Sequence, residues 1–156
     1  MATLLFTAPA GVPGDITRQQ ASQIESGLFN VAAAPTAYGA PVKLVSGKFE
    51  KIASGDAAAV FVGVLTRVAP SLSNADGTPK AGDVHGIMRR GYVNVLCTIG
   101  TPVKGGIVYM RVTAATGKAV GDFEATADST LNVVLPRVTW AVDGKDANNV
   151  AEIYIA

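Results

Sequence analysis

The chain has 156 residues, enough for one domain with its own core, and carries 13 Lys plus Arg against 12 Asp plus Glu, a formal charge of +1. That balance lacks the strongly basic footprint by which proteins hold phosphate backbones, so no nucleic acid is expected as a partner. Charged residues make up 16% and hydrophobic ones 49%, an excess supplied by Ala and Val, which suits small packed strands and leaves apolar surface for an interface.

In chain order, the opening Met1-Ala2-Thr3-Leu4-Leu5-Phe6 has no basic n-region and too short an apolar run for a signal peptide. No later stretch is apolar enough to span a bilayer, so the expectation is a protein that is not exported by these routes and has no membrane partner. Residues 1–40 read as an extended N-terminal arm, with Pro9, Pro13 and Pro35, scattered Gly, and only Asp15, Arg18 and Glu25 charged. A loop folded onto its own domain is the alternative reading of the same stretch, with about equal weight. Residues 41–156 read as a β-domain.

Within that domain, Pro41 to Val45 and Lys48 to Ile52 flank Ser46-Gly47, a connection suited to a tight hairpin. Val60, Val62, Val64, Thr66 and Val68 alternate with Phe61, Leu65 and Arg67, which predicts a longer central strand. Asp76-Gly77 and two Pro mark a surface loop over Ala69 to Gly82. Strands are then expected at Val84 to Arg89 and Tyr92 to Ile99, either side of an Arg90-Gly91 turn. Val108, Met110 and Val112 face one way on the next strand, with Tyr109 and Arg111 facing the other. Leu131 to Val142 follows, with Pro136 interrupting its ladder at an edge or bulge, and Val150 to Ala156 is the last strand. The fold class is all-β, a jelly-roll-like sandwich or partly closed β-barrel with an extended N-terminal arm.

Sites for chemistry are sparse in this sequence. One His and one Cys cannot supply the usual ligands of a zinc site, and neither a metal nor any other cofactor is expected. Cys97, the only cysteine, forms no intrachain disulfide and shares an apolar face with Val93 and Val95, where a thiol stays protonated. His85, beside Asp83, reads as a surface or edge residue. The acidic residues stand singly, and no nucleophile elbow or phosphate-cradling loop occurs. Arg67, Arg89, Arg90, Arg111 and Arg137 are candidates for a polar contact face, solvated strand edges being as good a reading.

Several ordered stretches carry a resemblance. Pro13-Gly14-Asp15-Ile16-Thr17-Arg18 and Pro41-Val42-Lys43-Leu44-Val45-Ser46-Gly47 come first, then Gly63-Val64-Leu65-Thr66-Arg67 and Arg89-Arg90-Gly91-Tyr92. Gly106-Ile107-Val108-Tyr109-Met110-Arg111-Val112 and the closing Ala151-Glu152-Ile153 complete the series. In order and spacing the chain resembles phage structural cement proteins, which decorate capsids. The resemblance implies a jelly-roll-like domain on the outside of an icosahedral head, assembled in the host cytoplasm, that ties major capsid proteins together and catalyses nothing.

On that footing the expected partners are the major capsid protein and further copies of the chain, in a dimer or trimer. The capsid-binding arm is expected to use Leu4, Leu5, Phe6, Pro13, Gly14, Asp15, Ile16 and Arg18. A carbohydrate-binding or adhesion β-sandwich of a virion, using Tyr38, Tyr92, Tyr109 and Tyr154, is the alternative; a small jelly-roll hydrolase is the weakest reading.

Overall fold

A computed structural model describes residues 11–67 and 74–156. Leu4, Leu5, Phe6 and Val68, all singled out by the sequence, lie outside the described residues. The described chain is nearly all β: β1 (Gln23–Leu28), β2 (Pro41–Val45), β3 (Lys48–Lys51), β4 (Gly63–Leu65), β5 (Val84–Ile99), β6 (Ile107–Arg111), β7 (Phe123–Glu124), β8 (Asn132–Trp140) and β9 (Val150–Ile155). Single 3₁₀ turns at Gln19–Ala21, Val31–Ala33 and Ala58–Val60 are the helical elements among them.

The strand pairings close on themselves twice around β5. Its C-terminal half pairs with β7 in parallel and with β9 antiparallel, and β7, β6, β8 and β9 pair in turn, giving a ring of five strands. Its N-terminal half pairs with β1 and β4, β4 continues to β2 and β3, and a bridge from Phe29 to Phe49 brings the end of β1 back to β3. The larger ring encloses Val93, Val95, Cys97, Val108, Met110, Phe123, Leu135, Trp140 and Ile153. The smaller encloses Phe29, Val42, Phe49, Leu65 and Ile87. At roughly 25 cal/mol per Å² of apolar area removed from water, these two clusters are the main source of stability.

The hairpin between β2 and β3 forms as its sequence predicts, with Ser46 at φ 49° and Gly47 at φ 79°, the double positive φ of a turn whose twist matches the strands. Two expectations need correction. No long strand spans the described residues 60 to 67: Val60 and Phe61 donate backbone hydrogen bonds to the carbonyls of Ala57 and Ala58, so the chain is still turning there, and β4 covers only Gly63–Leu65.

Arg90-Gly91 is no hairpin either, because β5 runs unbroken for 16 residues. Against β1 the partner of Ile24 is Met88 while that of Gln23 is Arg90, so Arg89 is the extra residue of a bulge. The bulge reverses the alternation: Met88 faces the larger core from an even position, and Val93, Val95 and Cys97 face it from odd ones. Gly91, at φ 123°, completes the change; a Cβ there would lie 2.8 Å from both the Ala21 carbonyl oxygen and the Ser22 Cα. One strand can thereby wall two cores. Pro136 falls in the irregular stretch of β8 between Val134, which pairs with Tyr109, and Thr139, which pairs with Ile107, so it sits at a bulge of the ladder.

Residues 11–40 run along this framework. β1 lies beside β5, and Ile16 bridges to Val93.

Candidate functional site

The segment just before β1 is held along an edge of β5, in the wall of the five-stranded ring, with Ile16 against its core. Gly14 donates to the Asn94 carbonyl (2.8 Å), Asn94 donates to that of Asp15 (3.0 Å), and Thr17 donates to that of Tyr92 (3.3 Å). The Gly14 carbonyl in turn accepts from the Arg67 amide at 2.8 Å. Residues 14–17 thus complete an edge of β5 that β7 reaches only further along.

Side chains lock this backbone docking. Glu152 stands opposite Asn94 in the β5–β9 register, on the outer face, and accepts hydrogen bonds from the Thr17 hydroxyl and from Arg18 Nη2, the latter at 3.0 Å. Its side chain is only 9% exposed, so the arginine and hydroxyl compensate a carboxylate withdrawn from water. The Arg18 guanidinium also lies 4.0 Å from the centre of the Tyr92 ring, and Tyr92 sits 4.7 Å from Tyr154. Thr17, Glu152 and the Tyr92–Tyr154 pair escaped the sequence reading as a group. A signal was present, since Glu152 is the one acid in the otherwise apolar run from Val150 to Ile155.

Of the remaining arm residues, Pro13 lines a shallow groove of about 250 Å³ with Pro35, Tyr38, Pro41, Leu96 and Val120. Asp15 accepts from the Val12 amide through Oδ2 at 3.4 Å.

The five arginines do not share a face. Arg111 is fully buried: it donates through Nε and Nη2 to both oxygens of Glu124 (2.6 and 2.9 Å) and through Nη2 to Asp128 (2.6 Å). The outward position read from alternation is therefore overturned. Alternation assigned the face correctly, but Glu124 stands on that face of the neighbouring β7 and the loop from β7 to β8 brings Asp128 against the guanidinium. Asn132 donates to Glu124 and Lys118 to Asp128, completing the cluster. The hydrogen bond to Glu124 holds the Arg111 guanidinium above its ordinary value, and those from Lys118 and Arg111 hold Asp128 below its own.

Arg67 is exposed, 5.9 Å from the Tyr38 ring centre, and Arg89 reaches Glu25 at 3.6 Å. Arg90 and Arg137 are exposed, each next to the β9 end.

His85 also departs from its expected place. It is buried, stacked on Phe29 at 4.8 Å, and its Nε2 donates to the Lys80 carbonyl at 2.8 Å. Cys97 lies in the larger core, as its strand position predicts, and burial pushes its thiol up. Among the described residues, no three of His, Cys, Asp and Glu gather in a way that would hold a metal ion.

Comparison with known proteins bears on this arrangement. The family described as "Structural cement protein (E217 gp24/Pam3 gp6)" matches residues 3–156. Among solved structures, a chain of "The capsid of Myoviridae Phage XM1" is similar in fold, with a TM-score of 0.69 at 15% identity, covering 97% of this chain and 93% of that one. No curated protein sequence matches.

Proposed function

Because the chain belongs to the structural cement protein family, and so is a capsid-stabilising structural protein of a phage, we propose that it binds the outside of the assembled head and ties neighbouring major capsid proteins together. The observation that carries this reading is the family match over residues 3–156. The protein works by binding and not by catalysis, without a cofactor. Copies join as a dimer or trimer, so that many weak contacts add through avidity.

The geometry supports a division of labour between the ring and the arm. Hydrogen bonds to Tyr92, Asn94 and Glu152 anchor residues 14–18, fixing the point from which the chain leads back toward Met1. Ten residues before Gly11 reach about 35 Å when extended. Leu4, Leu5 and Phe6 would give such a segment apolar side chains to place in a capsid subunit, while its backbone adds to a sheet edge.

The test removes Met1 to Ala10 and measures co-sedimentation with expanded heads that lack the cement protein. The truncated chain should keep its circular dichroism spectrum and lose most head binding. Unchanged head binding would eliminate the arm as the chief contact. Light scattering coupled to size exclusion reads the oligomeric state.

A further inference from the structure

On the outer face of the five-stranded ring the registers align four side chains in one row: Ile107 on β6, Thr139 on β8, Tyr154 on β9 and Tyr92 on β5. Directly paired antiparallel residues share a face, and the neighbouring positions Trp140, Ile153 and Val93 are buried on the inner one. Ile107 is 52% exposed, and Val134, exposed on β8, pairs with Tyr109 beside it.

The next row carries charge. The Ala156 amide bonds to the Arg137 carbonyl, and Ile155 pairs with Gly91, so Arg137 and Arg90 flank the end of β9 from either side. Their strands lie two spacings apart, about 10 Å. The bulge at Arg89 turns Arg90 to the same face as Tyr92. Both arginines are exposed, and neither has an ion partner among the described residues.

The acids that the registers place on this face, Glu152 and Glu124, are already engaged, Glu124 by Arg111 and Asn132. Glu152 is engaged by Thr17 and Arg18, and the Arg18 guanidinium lies over the Tyr92 ring while Tyr154 packs beside it, so the tyrosine pair is held as a fixed platform. What remains is an apolar and aromatic strip bordered by two free guanidiniums. Tyrosine and arginine are the residue types enriched where binding energy concentrates, and a fixed aromatic platform loses little entropy on being covered.

We propose that this face docks an extended acidic segment of the major capsid protein, its apolar side chains lying across Tyr92, Tyr154 and Ile107 and its carboxylates paired with Arg90 and Arg137. The inference rests on the capsid-binding reading above and adds to it the contact and its chemistry. A planar guanidinium pairs with a carboxylate through two parallel hydrogen bonds, which favours an acidic peptide. Two arginines are too few for the multi-phosphate contact that nucleic acid requires.

The test measures head binding of the wild type, of R90E/R137E, of the milder R90Q/R137Q and of K48E on the exposed β3, each at low and at raised salt. The arginine pair should be needed: R90E/R137E is expected to bind at least tenfold more weakly, R90Q/R137Q severalfold more weakly, and both with a flatter salt dependence than wild type. K48E should bind as wild type. Arginine variants that fold, bind heads as wild type and keep its salt dependence would overturn the inference while leaving the cement role intact. A wild type that fails to bind heads would overturn both, and binding of a single-stranded oligonucleotide through the two arginines, in place of heads, would overturn the acidic-peptide assignment.

Discussion

The Arg111 cluster and the Glu152 clasp use the same chemistry for opposite ends. Arg111, Lys118, Glu124, Asp128 and Asn132 come from one short stretch, and the Arg111 and Glu124 side chains are completely buried. Thr17 and Arg18 meet Glu152 from the far end of the chain, 135 and 134 residues away, and Arg18 keeps 51% of its side chain exposed. The first grouping closes a loop over its own ring and would leave charge stranded if opened. The second fastens the segment before β1 to an edge of the ring, through one part-exposed arginine. Burial, more than the count of ion pairs, decides which is structural and which is a fastening.

Breaking the cluster should therefore do the most damage. Arg111→Ala leaves Glu124 buried and uncompensated and is expected to cost about 3–5 kcal/mol, read as a lowered denaturation midpoint. Replacing Arg111 by Met and Glu124 by Leu together should cost much less than Arg111→Ala alone, because no fully buried charge is then left unpaired and the part-exposed Asp128 keeps Lys118. A double variant as unstable as the single one would mean that the cluster stabilises through more than charge compensation.

Glu152→Ala removes the acceptor of the clasp and should cost about 2 kcal/mol. Hydrogen exchange should rise at the amides of Gly14 and Thr17 while those of β6 stay protected. Uniform loss of protection would show the clasp to be part of the global fold. Arg18→Ala, at a half-exposed position, should cost under about 1 kcal/mol.

The smallest effect is with pH. Hydrogen bonds from Lys118 and Arg111 keep Asp128 below its ordinary value; at Asp56, burial pushes upward but the hydrogen bonds from Lys43 and the Ala53 amide prevail. A carboxylate lowered on folding contributes stability that is complete above its unfolded value near pH 4 and fades as pH falls through the folded one. Thermal midpoints should thus hold from neutrality to about pH 5 and decline below about pH 4, less so in Asp128→Asn.

How far the sequence announced this structure depended on whether the signal was local. The β2–β3 hairpin, β6, β9 and the place of Cys97 follow from alternation and a two-residue turn, all within a few positions. β1 was missed because Gln23-Ile24-Glu25-Ser26-Gly27-Leu28 has little β-branched content, and its glycine is required by a distant ring: a Cβ at Gly27 would run into Phe49. β7 has two residues and no period to read.

At Arg89-Arg90-Gly91 the local signal misled, since a bulge and a turn draw on the same glycine. Arg111 and His85 failed for a shared reason: alternation says which side of a strand a residue takes, and says nothing of the loop or aromatic ring that later covers that side. The clasp was half legible, with Thr17-Arg18 and Glu152 each in a stretch that carried the family resemblance, but nothing in one dimension shows that they touch.

The shared strand has a mechanical meaning for a protein whose family stabilises capsids. At about 3.3 Å per residue, β5 is a single tie roughly 50 Å long from Val84 to Ile99, built into the wall of both rings. A load applied at one ring passes along covalent bonds into the other, and neither ring can peel away from β5 without exposing a core that the same strand lines. The two halves should consequently yield together, in one unfolding step under force.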